Sequence, residues 1–292
     1  LILTLFPYTT LFRSQLLAAS LDKHSDIYTE EEMTGGSSNA DYFRISQFYM
    51  ETSQNLAKYQ ALSLAGEDVS MEFFGVYVLS LAKDSTFKGI LNIADTVTSI
   101  NGKTFESSAQ LIEYVSGLEL GSDVTVGYES LGEKLSAEGQ IIKLDNGKNG
   151  IGIGLVDHTE VKTDVPIEFQ TENIGGPSAG LMFTLAIYTQ LADPTLRDGR
   201  DIAGTGTIEQ DGSVGDVGGV DKKVISAAQA GATVFFAPNN PVDEEILKED
   251  PSALSNYEEA VKTVEEEGLD IEVVPVTNIK EAIAYLEETR GS

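Results

Sequence analysis

The chain has 292 residues, enough for two compact domains of ordinary size, and its 41% apolar and 23% charged content is that of a folded globular protein. Nineteen Lys and Arg against 47 Asp and Glu leave a net charge of −28, which repels phosphate backbones and anionic headgroups and argues against a nucleic-acid partner. The lack of cysteine excludes disulfides, thiolate nucleophiles and thiolate metal sites, and with only His24 and His158 no multi-histidine metal centre can be built.

Thr4 to Ser14, TLFPYTTLFRS, matches the translation of a common sequencing-adapter oligonucleotide, so residues 1–14 read as non-native sequence ahead of a truncated frame. Residues 15–68 read as a helical segment. Gly35-Gly36-Ser37-Ser38 marks a break, and Asn39 or Asp41 opens a helix with an apolar stripe through Phe43, Met50, Leu56, Tyr59 and Leu62. Gly66 is its stop signal.

Residues 69–145 change to short strands around one helix. Val76 to Leu79 is a β-rich run, and Ile93 to Ile100 is another, closed by the turn dipeptide Asn101-Gly102. Ser107 to Val115 reads as a helix with Leu111, Ile112 and Val115 on one face. Strands at Val124–Val126 and Gln140–Ile142 follow, joined through Leu131-Gly132-Glu133.

Residues 146–292 alternate strand and helix. Ile151–Val156 and Val165–Phe169 are expected strands, and Pro177–Leu191 is an expected helix with proline in its first turn. Asp221–Ala230 is a helix stopped by Gly231, followed by strands at Thr233–Ala237 and Ile271–Val274. Asn278 and Glu281 form a capping box for a last helix, and the acidic stretch from Asp243 to Glu288 reads as a solvated face. No internal repeat is present, and the whole reads as an α+β protein.

Gly175-Gly176-Pro177-Ser178-Ala179-Gly180 places a serine at a glycine-rich strand-to-helix junction. Small neighbours let a carbonyl approach its hydroxyl, and a helix N-terminus stabilises a developing oxyanion. An ordinary N-cap serine has the same local appearance. A serine nucleophile needs a base, and Lys222 and Lys223 open the Asp221–Ala230 helix. Lys222 shares its face with Ser226 and Gln229, whereas Lys223 lies with Ala227 and Ala230 beside Val224. Lys223 is therefore the lysine expected to be desolvated. Desolvation is needed, because a lysine of pKa about 10.4 becomes a useful base only near about 7–8. Thr205, in Ala203-Gly204-Thr205-Gly206-Thr207-Ile208, is a candidate acceptor for a hydrogen bond from that amine, or else a plain turn threonine.

The segments GGPSAG, AGTGTIEQDGSVGDVGG and GGVDKK…AAQAGATVFFAP resemble the proteolytic domain of Lon-family serine peptidases. The resemblance implies Ser178 as nucleophile, Lys223 as base and Thr205 as support, with Gly176, Pro177 and Ala179 shaping the site. Lon members often carry Asp two residues before the proline, where this chain has Gly175. The stretch from Gly75 to Val115 resembles a PDZ domain of the bacterial protease type. That implies peptide capture by strand addition, with a terminus-binding loop at Phe73, Phe74 and Gly75. Ala94 stands where glycine is usual in such domains.

The order of parts is similar to bacterial PDZ-containing Lon-like proteases that lack an ATPase module. It implies a small PDZ-like β-domain followed by a Lon-type α/β domain, acting as an ATP-independent endopeptidase on peptides or proteins. The same resemblance implies no cofactor and no metal, and attachment to the outer face of a bacterial membrane through an anchor missing from this sequence. It also leaves room for a homo-oligomer. A non-catalytic peptide-binding scaffold, and a working parent whose truncated chain is inert, are the alternatives. The S-x-x-K matches at Ser20 and Ser80 lack companion motifs. Gly150-Ile151-Gly152-Ile153-Gly154 is not a dinucleotide fingerprint, and no phosphate-binding P-loop motif occurs.

Overall fold

The computed structural model describes residues 25–34, 38–171 and 174–291, so the adapter-like stretch, His24 and the Gly35-Gly36 break lie outside the described residues. A short helix α1 (Glu30–Thr34) precedes the long helix α2 (Asn39–Ala65). Ser38, rather than Asn39 or Asp41, caps α2: its side chain accepts from the Asp41 N–H, and Gly66 ends the helix in the left-handed region at φ 78°. The buried face of α2 runs through Met50, Ser53, Ala57, Gln60, Ala61 and Leu62. It is a more polar stripe than the one expected.

A five-stranded antiparallel sheet follows, in the order β4-β3-β2-β1-β7. Its strands are β1 (Ser70–Leu81), β2 (Thr96–Ile100), β3 (Asp123–Ser130), β4 (Glu133–Gln140) and β7 (Ile153–Lys162). Helix α3 (Ser108–Ser116), capped by Ser107, buries Leu111 and Val115 against Val76, Val97 and Val126. Ile112 is instead exposed, because the buried face of α3 runs through Leu111 and Val115, one turn apart. Asn101-Gly102 and Leu131-Gly132 both adopt left-handed conformations, the pattern of tight hairpin turns. A small ladder of β5 (Ile142–Lys143) and β6 (Asn149–Gly150) leads into β7, which zips along β1 from Ser70↔Lys162 to Leu81↔Ile153.

Beyond β7 the expected strand at Val165–Phe169 is irregular chain. Pro166 has no N–H to give to a ladder, and Ile167 and Phe169 pack directly on the second core. Helix α4 spans Gly180–Leu191, so Pro177 to Ala179 form a turn before it rather than its first turn. Three parallel strands, in the order β10-β9-β8, complete the second unit: β8 (Ile202–Gly204), β9 (Val234–Pro238) and β10 (Glu272–Val276). The central β9 is buried at every position, as parallel strands covered by helices are. Helices α5 (Val220–Gln229), α6 (Glu244–Glu249), α7 (Asn256–Glu267) and α8 (Ile279–Glu288) surround this sheet. The capping box of α8 forms between Asn278 and Glu281 as its sequence dictates. Ala57 and Ala61 of α2 join Leu181, Leu185, Phe236 and Ile283 in one core, so α2 belongs to this unit although it precedes the other sheet.

Candidate active site

Ser178 sits in the turn that feeds α4, and Lys223 reaches it from α5: Lys223 Nζ is hydrogen-bonded to Ser178 Oγ at 3.1 Å. The two elements are brought together through the strand end after β8. Gly206 N–H and Thr205 Oγ1 both donate to the Ser178 carbonyl at 3.0 Å, and Leu181 N–H donates to Gly206 O at 3.1 Å. Thr205 N–H is anchored in turn on Phe236 O of β9. Gly206 is at φ 151° and a Cβ there would lie 2.6 Å from Val214 Cγ1, so the strand end tolerates no side chain. The expected bond from Lys223 to Thr205 does not form. The buried Thr205 hydroxyl holds the Ser178 backbone, and among the described residues Ser178 Oγ is the hydrogen-bond partner of the amine.

Helix α2 holds the other side of the serine turn. Gly176 N–H donates to Ser46 O at 2.9 Å, Ser53 Oγ to Pro177 O at 3.1 Å, and Gln54 Nε2 to Thr171 Oγ1 at 3.2 Å. A Cβ on Gly175 would stand 2.6 Å from Ser46 Cβ, so the aspartate common at this position in Lon members has no room beside α2. Gly176 takes φ 92°, and its N–H is committed to Ser46. Among the described residues no backbone acceptor takes the N–H of Ser178 or Ala179, which leaves these two donors at the mouth of α4 for an oxyanion.

The two lysines of α5 have opposite environments. Lys222 forms ion pairs with Asp26 at 2.7 Å and Asp221 at 2.9 Å, and the hydrogen bonds it donates to these carboxylates push its pKa up. Lys223 is half-buried and no acidic side chain among the described residues pairs with it, so burial alone pushes its amine below the usual lysine range. His158 is stacked on Tyr77 with ring centroids 4.1 Å apart, and its Nδ1 lies 3.0 Å from Thr96 Oγ1, within the five-stranded sheet. Among the described residues no three His, Cys, Asp or Glu side chains converge on a metal position.

Phe73, Phe74 and Gly75 do not form a terminus-binding loop. They lie within β1, paired with β7 through Phe73↔Thr159 and Gly75↔His158 across a bulge. The reason is β7, which takes up that edge of β1 along its length. Gly75 is needed there because a Cβ would sit 2.1 Å from Val97 O.

Sequence reasoning missed Ser46, Ser53 and Gln60 of α2. Their seven-residue spacing puts them on one helix face, and that face bonds the backbone at Gly176, Pro177 and Gln210. Ser53 and Gln60, a polar pair seven residues apart in a half-apolar helix, carry a readable signal; Ser46 acts through its main-chain carbonyl, for which the sequence carries none.

A family model described as the Lon protease (S16) C-terminal proteolytic domain matches residues 96–279, more than half of the chain. A PDZ domain model matches residues 47–141. Among curated relatives, the Lon protease of Ureaplasma parvum serovar 3 is 33% identical over 122 residues, covering 42% of this chain and 15% of that protein. The Lon protease of Phenylobacterium zucineum is 35% identical over 102 residues, 35% of this chain and 12% of that protein. The Lon protease of Citrifermentans bemidjiense is 28% identical over 169 residues, 56% of this chain and 21% of that protein. The chain thus spans about a fifth or less of these relatives' lengths. Among solved structures, the PDZ domain of an SdrC-like protein from Listeria monocytogenes is 32% identical. It covers 29% of this chain and 90% of that one at a TM-score of 0.28. By the extent of the proteolytic-domain match, and with a PDZ-like domain besides, this chain belongs to the family of the Lon protease C-terminal proteolytic domain.

Proposed function

We propose that the chain is an ATP-independent serine endopeptidase in which Ser178 is the nucleophile and Lys223 its general base. The 3.1 Å contact between a half-buried, unpaired amine and the hydroxyl at the mouth of α4 carries this reading. The neutral Lys223 amine takes the Ser178 proton as Oγ attacks the scissile carbonyl, and the oxyanion is held by the N–H groups of Ser178 and Ala179. The resulting ammonium protonates the leaving amine, and water, deprotonated by the same lysine, resolves the acyl-enzyme. The PDZ-like domain recruits the peptide or protein substrate. Independence of ATP rests on the resemblance to PDZ-containing Lon-like proteases that lack an ATPase module. Placement at the outer face of a bacterial membrane rests on family resemblance alone; no helix among the described residues is long and apolar enough to cross a membrane.

Ser178→Ala and Lys223→Ala are each expected to lower peptide cleavage by about 10³-fold or more while leaving the fold intact by circular dichroism. Lys222→Ala, which removes only a surface pair, stays within about twofold. Full cleavage by either dyad variant refutes the assignment. A non-catalytic scaffold calls for a dyad beyond hydrogen-bond reach, and the 3.1 Å contact disfavours it.

A further inference from the structure

A cleft of about 410 Å³ opens one residue from Ser178, at Pro177, between α2, the β1–β7 pair and the segment after Thr205. Part of its wall is apolar, from Leu56, Met71, Phe73, Leu155 and Ile208. The rest carries the carboxylates of Glu106, Asp157 and Glu209, and among the described residues no Lys, Arg or His lines it. Thr159 also lines the cleft; it is 6% exposed, and its hydroxyl is buried without a hydrogen-bond partner. A buried hydroxyl in that state calls for a ligand group to satisfy it.

We propose that this cleft is the subsite for a basic side chain of the peptide substrate, an inference that rests on the peptidase reading above. The aliphatic stem lies along Leu56, Met71 and Ile208, and the charged head is held by Glu209 and Asp157 with Thr159 Oγ1 beside them. A lysine or arginine side chain has this two-part character, an apolar stem and a cationic tip. Burial, followed by the nearby carboxylates of Asp211 and Asp157, pushes the Glu209 carboxyl above the usual range, and an incoming cation relieves that repulsion. A metal ion is a poorer occupant, because among the described residues no three carboxylates converge on one metal position.

The test uses the full chain and a set of synthetic peptides that differ at one position, Lys, norleucine or Glu, with cuts read by mass spectrometry. The lysine peptides are expected to be cut about tenfold faster than the norleucine ones, the size of a charge-assisted contact, and the glutamate peptides slowest. In Glu209→Gln and in Asp157→Asn the preference for lysine over norleucine is expected to shrink to about twofold. Ser178-dependent cutting that ignores lysine, or a preference unchanged in both variants, overturns the subsite and leaves the peptidase reading standing. If no peptide is cut, the peptidase reading fails by itself. The subsite is then decided by fluorescence anisotropy of labelled lysine and glutamate peptides on the Ser178→Ala chain. Tighter binding of the lysine peptide that Glu209→Gln abolishes upholds the cleft, and equal binding overturns it.

Discussion

Lys223 is an amine half buried beside Val224 with no acid among the described residues to pair with, so burial disfavours its charged form. Its folded pKa lies below the unfolded value, so between the two the unfolded chain binds the proton more readily and stability rises with pH. Below the folded pKa the charged amine sits in its half-apolar pocket at full cost. Lys223→Met fills the same space without charge and is expected to raise the melting temperature at pH 7 by about 2–4 °C, while abolishing cleavage. With the proposed dyad, kcat/KM should rise with pH through a single ionisation below that of a free lysine, then level off. A scanning-calorimetry trace with no gain in the Met variant, or a rate that climbs only near pH 10, contradicts this account. Ala94 raises a separate question, because it occupies φ 82°, where a side chain costs about 1–2 kcal/mol. The turn is kept because Ala94 N–H bonds to Val78 O and Asp95 Oδ2 receives the Asn92 N–H. Ala94→Gly should therefore stabilise the chain by about 0.5–1 kcal/mol in urea denaturation, the released strain being partly offset by unfolded-state entropy. A loss of stability there means that the Ala94 methyl packs usefully.

Helix α2 serves both units at once. Its Ser46 carbonyl and Ser53 hydroxyl secure Gly176 and Pro177, while Thr52 Oγ1 and Asn55 Nδ2 donate to the Asp157 and Thr159 carbonyls of β7 at 3.0 and 2.7 Å. Ser53→Ala removes one clamp on the serine turn, and a loss of about 1 kcal/mol in stability is expected. Because Pro177 O keeps the Gly180 N–H, the turn loosens without unfolding, so kcat should fall several-fold with KM little changed. An unchanged kcat in a stable variant argues that α2 does not position the nucleophile. Much of the element order is legible in the sequence where local chemistry decides it. Gly66, Asn101-Gly102 and the Asn278–Glu281 box act within a few residues of themselves, and each appears in the structure. Helical spacing likewise puts Lys223 on the apolar side of α5, and the structure brings its amine to 3.1 Å from Ser178, whose part the local sequence left open between a nucleophile and a capping serine. Long-range pairing was not legible. Phe73 to Gly75 read as a loop because nothing nearby announces that β7 will zip onto them. Val165–Phe169 read as a strand because its apolar run outweighed Pro166. Thr205 was given the wrong partner because its hydroxyl is aimed by β9, some 30 residues further along the chain.

At the scale of the molecule the dominant electrostatic fact is excess acid. A chain of this length has a radius of gyration of about 19 Å, and the Debye length is about 30 Å at 0.01 M salt but about 8 Å at 0.15 M. At low salt, therefore, nearly every carboxylate interacts with most of the others, and with a net charge of −28 the sum is repulsive. Against this stand ion pairs such as Arg197–Asp201, Lys262–Glu266, Lys162–Glu72 and Arg290–Asp193, which sit largely at the surface. Pairs of that kind contribute about 0–1 kcal/mol each and are screened by the same salt. Nineteen cations cannot neutralise 47 anions, so screening removes more repulsion than attraction. Raising NaCl from about 0.01 to 0.3 M is therefore expected to raise the melting temperature by several degrees, with most of the gain before about 0.15 M, where the Debye length drops below the spacing of neighbouring charges. Potassium chloride should act equally, since the effect depends on ionic strength and not on ion identity. A melting temperature that stays flat or falls over this range shows that the few surface pairs outweigh the long-range field.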